Sequence, residues 1–174
     1  PDAYMACDTS FMTTVSNWFD SATDVAETSL VLLVRKGNPA GIADLGDLAR
    51  PGLRVGIAHE QQSALGALTA RLLRSRGLIE KVRPNVRVET PTGDLLVNQM
   101  RGGGLDVAMV YAVNARTARE FLDAVPIHDA LAVAVQPFAV SRTTDHPHLL
   151  ERLAARLRSN EGRARFEEAG FKPR

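Results

Sequence analysis

Apolar positions along the chain follow two alternating patterns. Short uninterrupted runs, Leu30–Val34 foremost, read as strands buried on both faces. Between them, apolar residues recur at the three- and four-residue spacing of amphipathic helices. Ala3–Cys7 reads as a buried strand, and Thr9–Phe19 as a short helix carrying Phe11, Val15 and Trp18 on one face. Lys36-Gly37-Asn38-Pro39 stops the central run, because glycine and proline punctuate and the residue before proline avoids the helical region. A small helix with Leu45 and Leu48 follows from Ile42 and ends at Arg50-Pro51-Gly52. Then come strand Leu53–Ala58, loop His59–Ser63, and helix Leu65–Arg76 with Gly77 as its closing residue.

The second half continues the alternation. Strand Val86–Glu89 passes through the turn Thr90–Gly93 into helix Asp94–Arg101, which ends at Gly102-Gly103-Gly104 and feeds strand Asp106–Val110. Phe121–Val125 and Ala132–Val140 read as strands. Pro147–Arg158, with proline at its first position, and Glu161–Ala169, ended by Gly170, read as closing helices.

Such alternation predicts an α/β protein with mostly parallel sheets. Residues Leu53–Tyr111 form a self-contained β-α-β-α-β unit, whereas the segments before Lys36 and after Pro126 look like pieces of another lobe. The expected organisation is therefore two lobes, 1–35 with 126–174 and 36–125, joined by crossing strands near 30–35 and 121–125 that would act as hinges.

Length and charge narrow the function. At 174 residues, with 45% apolar and 24% charged residues, the chain can build one ordinary domain or two small lobes. A net charge of +1, from 21 basic and 20 acidic residues, argues against a broad nucleic-acid or membrane-surface footprint. No apolar run approaches the roughly 18 residues that span a bilayer. The single cysteine, Cys7, rules out an internal disulfide framework and a multi-thiolate zinc site. The start at Pro1, without a methionine or signal peptide, reads as a processed or cut product.

Ligands of open parallel sheets bind where strands end and helices begin. Two loops there have suitable chemistry, Gln62-Ser63-Ala64-Leu65-Gly66 and Thr90-Pro91-Thr92-Gly93-Asp94. Both offer hydroxyls, a glycine and the unpaired N–H groups of a helix start, and neither contains lysine or arginine. An amide-and-dipole cradle for an anion fits that composition better than a phosphate-processing site. Tyr111, closing the third strand of the unit, adds a phenol on the same edge. The plainer reading is that Ser63 and Thr92 are ordinary helix caps, and Asp94 weighs against an anion site because its carboxylate can cap the same amides.

Other candidates have plainer explanations. Cys7 on a buried strand reads as a small core residue. His146 and His148, two apart at a helix start, read as capping rather than metal ligation. His59 reads as a solvated loop histidine, and residues 102–104 lack the lysine and serine or threonine of a phosphate loop. With no nucleophile elbow, metalloprotease motif or carboxylate pair, an enzyme is not expected.

Several segments resemble one family. Pro1–Asp8 (PDAYMACD), Leu30–Pro39 (LVLLVRKGNP) with Ile42–Pro51 (IADLGDLARP), Ser63–Gly66 with Leu73, Gly77 and Leu78, Asp106–Tyr111 (DVAMVY), Gln136–Val140 (QPFAV) and Arg158–Phe171 (RSNEGRARFEEAGF) are similar to motifs of periplasmic substrate-binding proteins of ABC transporters. The resemblance is strongest to the molybdate/tungstate-binding family. The resemblance implies the type II two-lobed fold, with a first lobe that is incomplete here. The family's first-lobe serine loops would lie in two strand–helix units upstream, about 60 residues at roughly 30 each. It also implies capture of a tetrahedral oxyanion by Ser63, Ala64, Leu65, Thr92, Gly93 and Tyr111, with no catalytic residue, metal or cofactor. The implied partners are the small anion and a membrane permease, with no nucleic acid, for a monomer in the periplasm or another extracytoplasmic space. Leu65 departs from the family's usual alanine, and Asp94 follows Gly93. Sulfate, phosphate or an organic acid remain alternative ligands, and the effector domain of a transcriptional regulator an alternative role. Iron is disfavoured because Tyr4 and Tyr111 are the only tyrosines, and His59 is the sole candidate base for an enzyme on this fold.

Overall fold

A computed structural model describes all residues, Pro1–Arg174. It divides into two compact units, Pro1–Thr28 with Ala134–Arg174, and Ser29–Val133. The boundaries therefore lie at 28/29 and 133/134, rather than at the 35/36 and 125/126 expected from the sequence. The reason is hydrogen bonding. Strand β2, Thr23–Arg35, is 13 residues long, and the half from Leu30 onward is laddered on both sides into the second unit. A crossing strand belongs to the sheet that satisfies its backbone groups.

The second unit is built on strands β3 (Val55–Ala58), β4 (Val86–Thr90), β5 (Val107–Tyr111) and β6 (Leu122–Pro126) together with the later half of β2. β3 pairs parallel with β4, from Val55↔Val86 to Ala58↔Thr90, and parallel with β5 through Val55↔Val107 and Gly56↔Ala108. β5 and β6 flank β2, both antiparallel, through Leu32↔Met109 and Leu32↔Val125. The order is β4-β3-β5-β2-β6. The mostly parallel sheet read from the sequence thus holds for β4-β3-β5 alone. Beyond them the chain arrives along β2 and returns along β6, and neighbouring strands traversed in opposite senses must pair antiparallel.

Leu30–Val34 is buried throughout, as its uninterrupted apolar run and its neighbours on both edges lead one to expect. Helix α2 (Ala64–Ser75) buries Leu65, Leu68, Leu72 and Leu73, and α4 (Gly93–Arg101, following the one-turn α3, Ile79–Val82) buries Leu96, Val97 and Met100. Both sets follow the expected helical spacing. Gly77 takes φ +64°, the left-handed turn that lets the Leu78 N–H reach the Leu73 carbonyl at 2.8 Å and close α2. The segment around Leu45 and Leu48 is a 3₁₀ turn over Leu45–Ala49, capped reciprocally by Asp44 and Asp47. After β5 the chain forms α5, Ala112–Arg116, a short helix that lacks a strong apolar period.

In the first unit, β1 (Ala3–Met5) pairs antiparallel with β7 (Val133–Val140), and the start of β2 pairs antiparallel with β8 (Lys172–Pro173). Helices α6 (Pro147–Arg158) and α7 (Asn160–Ala169) lie where the sequence placed them. Two expectations fail here. Thr9–Phe19 is not one helix but a 3₁₀ turn at Thr9–Phe11 followed by a single α turn, α1, at Met12–Val15. Trp18 stands 62% exposed while Phe19 is buried against Tyr4, ring centroids 5.4 Å apart. The bridge between Phe19 and Ser141 extends the backbone there and overrides the helical pattern. Cys7 is exposed rather than buried, because β1 ends at Met5 and Cys7 falls in the turn beyond it.

Candidate functional site

Parallel pairing puts the carboxyl ends of β3, β4 and β5 on one edge of the sheet. From each of those ends the chain turns toward a helix, α2 at Ala64, α4 at Gly93 and α5 at Ala112. β3 sends its successor β4 to one side and β5 lies on the other, so this edge is the switch point at which open sheets hold ligands. The first two loops are tied together. The His59 N–H donates to the Thr90 carbonyl at 2.8 Å, and the Thr90 hydroxyl donates to the Thr92 carbonyl at 2.8 Å.

Glycine is required where the elements meet. A Cβ on Gly93 would stand 2.6 Å from Asn114 Oδ1, 2.9 Å from its Cγ and 3.2 Å from Leu65 Cδ2. The start of α4 is thus pressed between a residue of α2 and a residue of α5. A Cβ on Gly66 would lie 2.4 Å from the His59 carbonyl oxygen and 2.6 Å from that of Ala58, so α2 approaches the end of β3 backbone to backbone.

The polar groups at this edge differ in how they are used. Ser63 is the N-cap residue of α2, half-buried, and its hydroxyl accepts no bond from the helix start. Thr92 does cap its helix, its Oγ1 accepting from the Leu95 N–H at 3.4 Å. No group of the protein accepts from the amides of Leu65, Gly93 or Asp94, which are first-turn donors of their helices. Tyr111, half-buried, ends β5 opposite Leu30 and begins α5. The structure therefore brings Leu65 and Gly93 into direct proximity and sets Ser63, Ala64, Thr92 and Tyr111 on the same edge.

No lysine or arginine belongs to either loop, and the acids Glu60 and Asp94 are both engaged. Arg74 grips Glu60 through two bonds of 2.6 and 2.7 Å, which holds the Glu60 carboxyl below the usual carboxylate range. Asp94 accepts from Asn114 Nδ2 at 2.9 Å. Asn114 packs at this edge, against Gly93 and bonded to Asp94, and the sequence does not single it out. Its signal was faint, one amide side chain three residues beyond Tyr111 in a helix of five residues. A cavity of about 200 Å³ in this unit, lined by Gly66, Thr69, Leu73, Ile79 and Val86 among others, includes none of the six candidate residues. The His59 ring accepts from the Gln61 N–H at 3.3 Å and serves its own turn, while His148 lies 3.4 Å from Glu151 on the surface of α6.

A two-unit α/β chain crossed by a long shared strand, with helix starts gathered at the switch point of its second sheet, has the architecture of a solute-binding protein. Comparison agrees. The model of the bacterial extracellular solute-binding protein family matches residues 1–172, and the chain belongs to that family. It is 28% identical over 174 residues to the molybdate-binding protein ModA of Mycobacterium bovis and of Mycobacterium tuberculosis. The match takes in 98% of this chain, which spans 65% of the length of those curated relatives. In fold it is similar to the periplasmic molybdate-binding protein of Azotobacter vinelandii, with a TM-score of 0.75 at 18% identity over 98% of this chain and 77% of that one. Peb3 from Campylobacter jejuni is similar as well, at a TM-score of 0.74 and 17% identity over 98% and 79%. The expected two-lobed α/β fold is thereby established. No helix is long and apolar enough to cross a membrane.

Proposed function

We propose that this protein is the extracytoplasmic binding component of an ABC importer, capturing a tetrahedral oxyanion, molybdate or tungstate. The observation that carries the reading is the convergence of two helix starts at Leu65 and Gly93, in loops that contain no lysine or arginine, in a relative of molybdate-binding proteins. A dianion of this kind is held by neutral donors. The amides near Leu65 and Gly93, the Ser63 hydroxyl and the Tyr111 phenol would supply them from this unit, with Ala64 and Thr92 lining the same edge. Neutral donors suit an ion that must be released to a membrane permease, because they replace its water shell without forming an ion pair. Hydrogen bonds to charged groups contribute about 1.5–3 kcal/mol each. Three of them give roughly 6 kcal/mol, a Kd of tens of micromolar, so tighter binding needs donors from outside this unit. The protein acts as a monomer, without nucleic acid or cofactor, in the periplasm or an equivalent space.

The test is a thermal-shift and calorimetric panel on the full-length protein with molybdate, tungstate, sulfate and phosphate. Stabilisation by molybdate and tungstate at micromolar concentration, with little response to the other two, is expected. A response to phosphate or sulfate alone moves the assignment to that anion, and silence toward all four overturns it.

A further inference from the structure

We infer that Asn114 is a positioning residue that holds the Asp94 carboxylate away from the first amides of α4, keeping them available to an anion. The inference rests on the oxyanion reading above and concerns the same edge of the sheet.

Asp94 occupies the first turn of α4, where a carboxylate is drawn to the unpaired N–H groups and the positive end of the helix. An acid left free there would be a built-in competitor for any incoming anion. In the structure it does something else. Its Oδ1 accepts from Asn114 Nδ2 at 2.9 Å, and neither carboxylate oxygen takes a bond from the Gly93 or Asp94 amide. Thr92 meanwhile supplies the side-chain cap, accepting from Leu95 one position further along.

Asn114 is well placed for this task because its own position is closely determined. Its Oδ1 is buried without a hydrogen-bond partner, and Oδ1 and Cγ lie 2.6 and 2.9 Å from where a Cβ of Gly93 would be. The amide therefore packs against the one residue of α4 that has no side chain, with Leu65 of α2 alongside. In that seat its N–H₂ end faces Asp94. Glycine at 93, asparagine at 114 and aspartate at 94 make one device. The glycine makes room, the asparagine occupies it, and the acid is tied to α5 instead of capping α4. An alanine at 114 removes the tie but not the charge.

The test measures sodium molybdate binding by calorimetry on the full-length protein, for wild type, Asn114→Ala, Asp94→Ala and the double variant. Asn114→Ala should weaken molybdate binding by about tenfold, the scale of a charged group competing at a helix start. Asp94→Ala should bind at least as tightly as wild type, and the double variant should return to the Asp94→Ala value. That rescue separates positioning from mere support of the fold, since a structural loss would persist without Asp94. If Asn114→Ala melts too low to measure, Asn114→Thr keeps a side chain over Gly93 without an amide for Asp94 and should show the same rescue. Wild-type binding with no loss in Asn114→Ala, or a loss equal in both backgrounds, overturns the inference while leaving the oxyanion reading intact. A wild-type protein that binds no oxyanion overturns both.

Discussion

Replacing Gly93 by alanine is the sharpest test of how the site edge is assembled. The added methyl meets Asn114 Cγ at 2.9 Å and Leu65 Cδ2 at 3.2 Å, against an optimum of about 3.5–4.0 Å for carbon pairs. Overpacking of this kind costs about 1–3 kcal/mol. Asn114 can relieve it only by swinging away, which breaks its 2.9 Å bond to Asp94 and adds about 1 kcal/mol. Alanine's better helix propensity returns at most about 1 kcal/mol. The balance is a loss of about 1–3 kcal/mol, or roughly 2–12 °C in Tm for a chain of this size. Urea unfolding and thermal melts of Gly93→Ala, Asn114→Ala and the double variant read it directly. Because the clash needs the Asn114 side chain, the double variant should be more stable than the sum of the singles by about 1 kcal/mol or more. A Gly93→Ala protein as stable as wild type, or strict additivity, would refute the packing described for this edge.

Other outcomes follow from the same geometry. Gly66→Ala drives a methyl into two backbone carbonyls that cannot rotate aside, so it should destabilise by about 3 kcal/mol or more in urea titrations and lack any single-site suppressor among side chains. Ser63→Ala should leave Tm unchanged, since the hydroxyl makes no cap bond, yet weaken oxyanion binding about tenfold by calorimetry; Thr92→Ala should lower stability by about 1 kcal/mol through lost capping. Tyr111→Phe should likewise lose affinity. Asp106 accepts from the Arg54 side chain at 2.8 and 3.1 Å, from the Arg54 amide at 3.0 Å and from Arg35 at 3.0 Å, and the Arg54 bonds chiefly hold its carboxyl below the usual range. A carboxyl depressed in the folded state stabilises above its unfolded value, near pH 3.9, and loses that contribution as pH falls through the folded value. Urea midpoints of Asp106→Asn should therefore be lower than wild type at pH 7 and should fall less steeply below about pH 4.

What could be read from the sequence was local. The run Leu30–Val34, the helical spacing of Leu65, Leu68 and Leu72, the proline opening α6 and the glycines closing α2 and α7 each depend on neighbours within about one turn. They placed most of β2's buried half and every long helix to within a residue or two. Local pattern also marked Ser63, Thr92 and Gly93 as helix starts, because a start is written in one or two residues. It misjudged Trp18 and Cys7, where the extended bridge from Phe19 to Ser141 and the early end of β1 decide exposure.

Only the tertiary structure decided which helix starts meet. Leu65, Gly93 and Asn114 lie far apart in the chain, and the pairing of β3 with β4 on one side and β5 on the other sets their helices at one edge. That Gly93 is a seat for a side chain, and that Asp94 is tied rather than free, are contacts between segments with no common periodicity. The local conformational preferences of this chain determined its elements. Strand pairing and close packing determined that those elements present the unpaired amides of two helix starts on one edge, with Asp94 held aside.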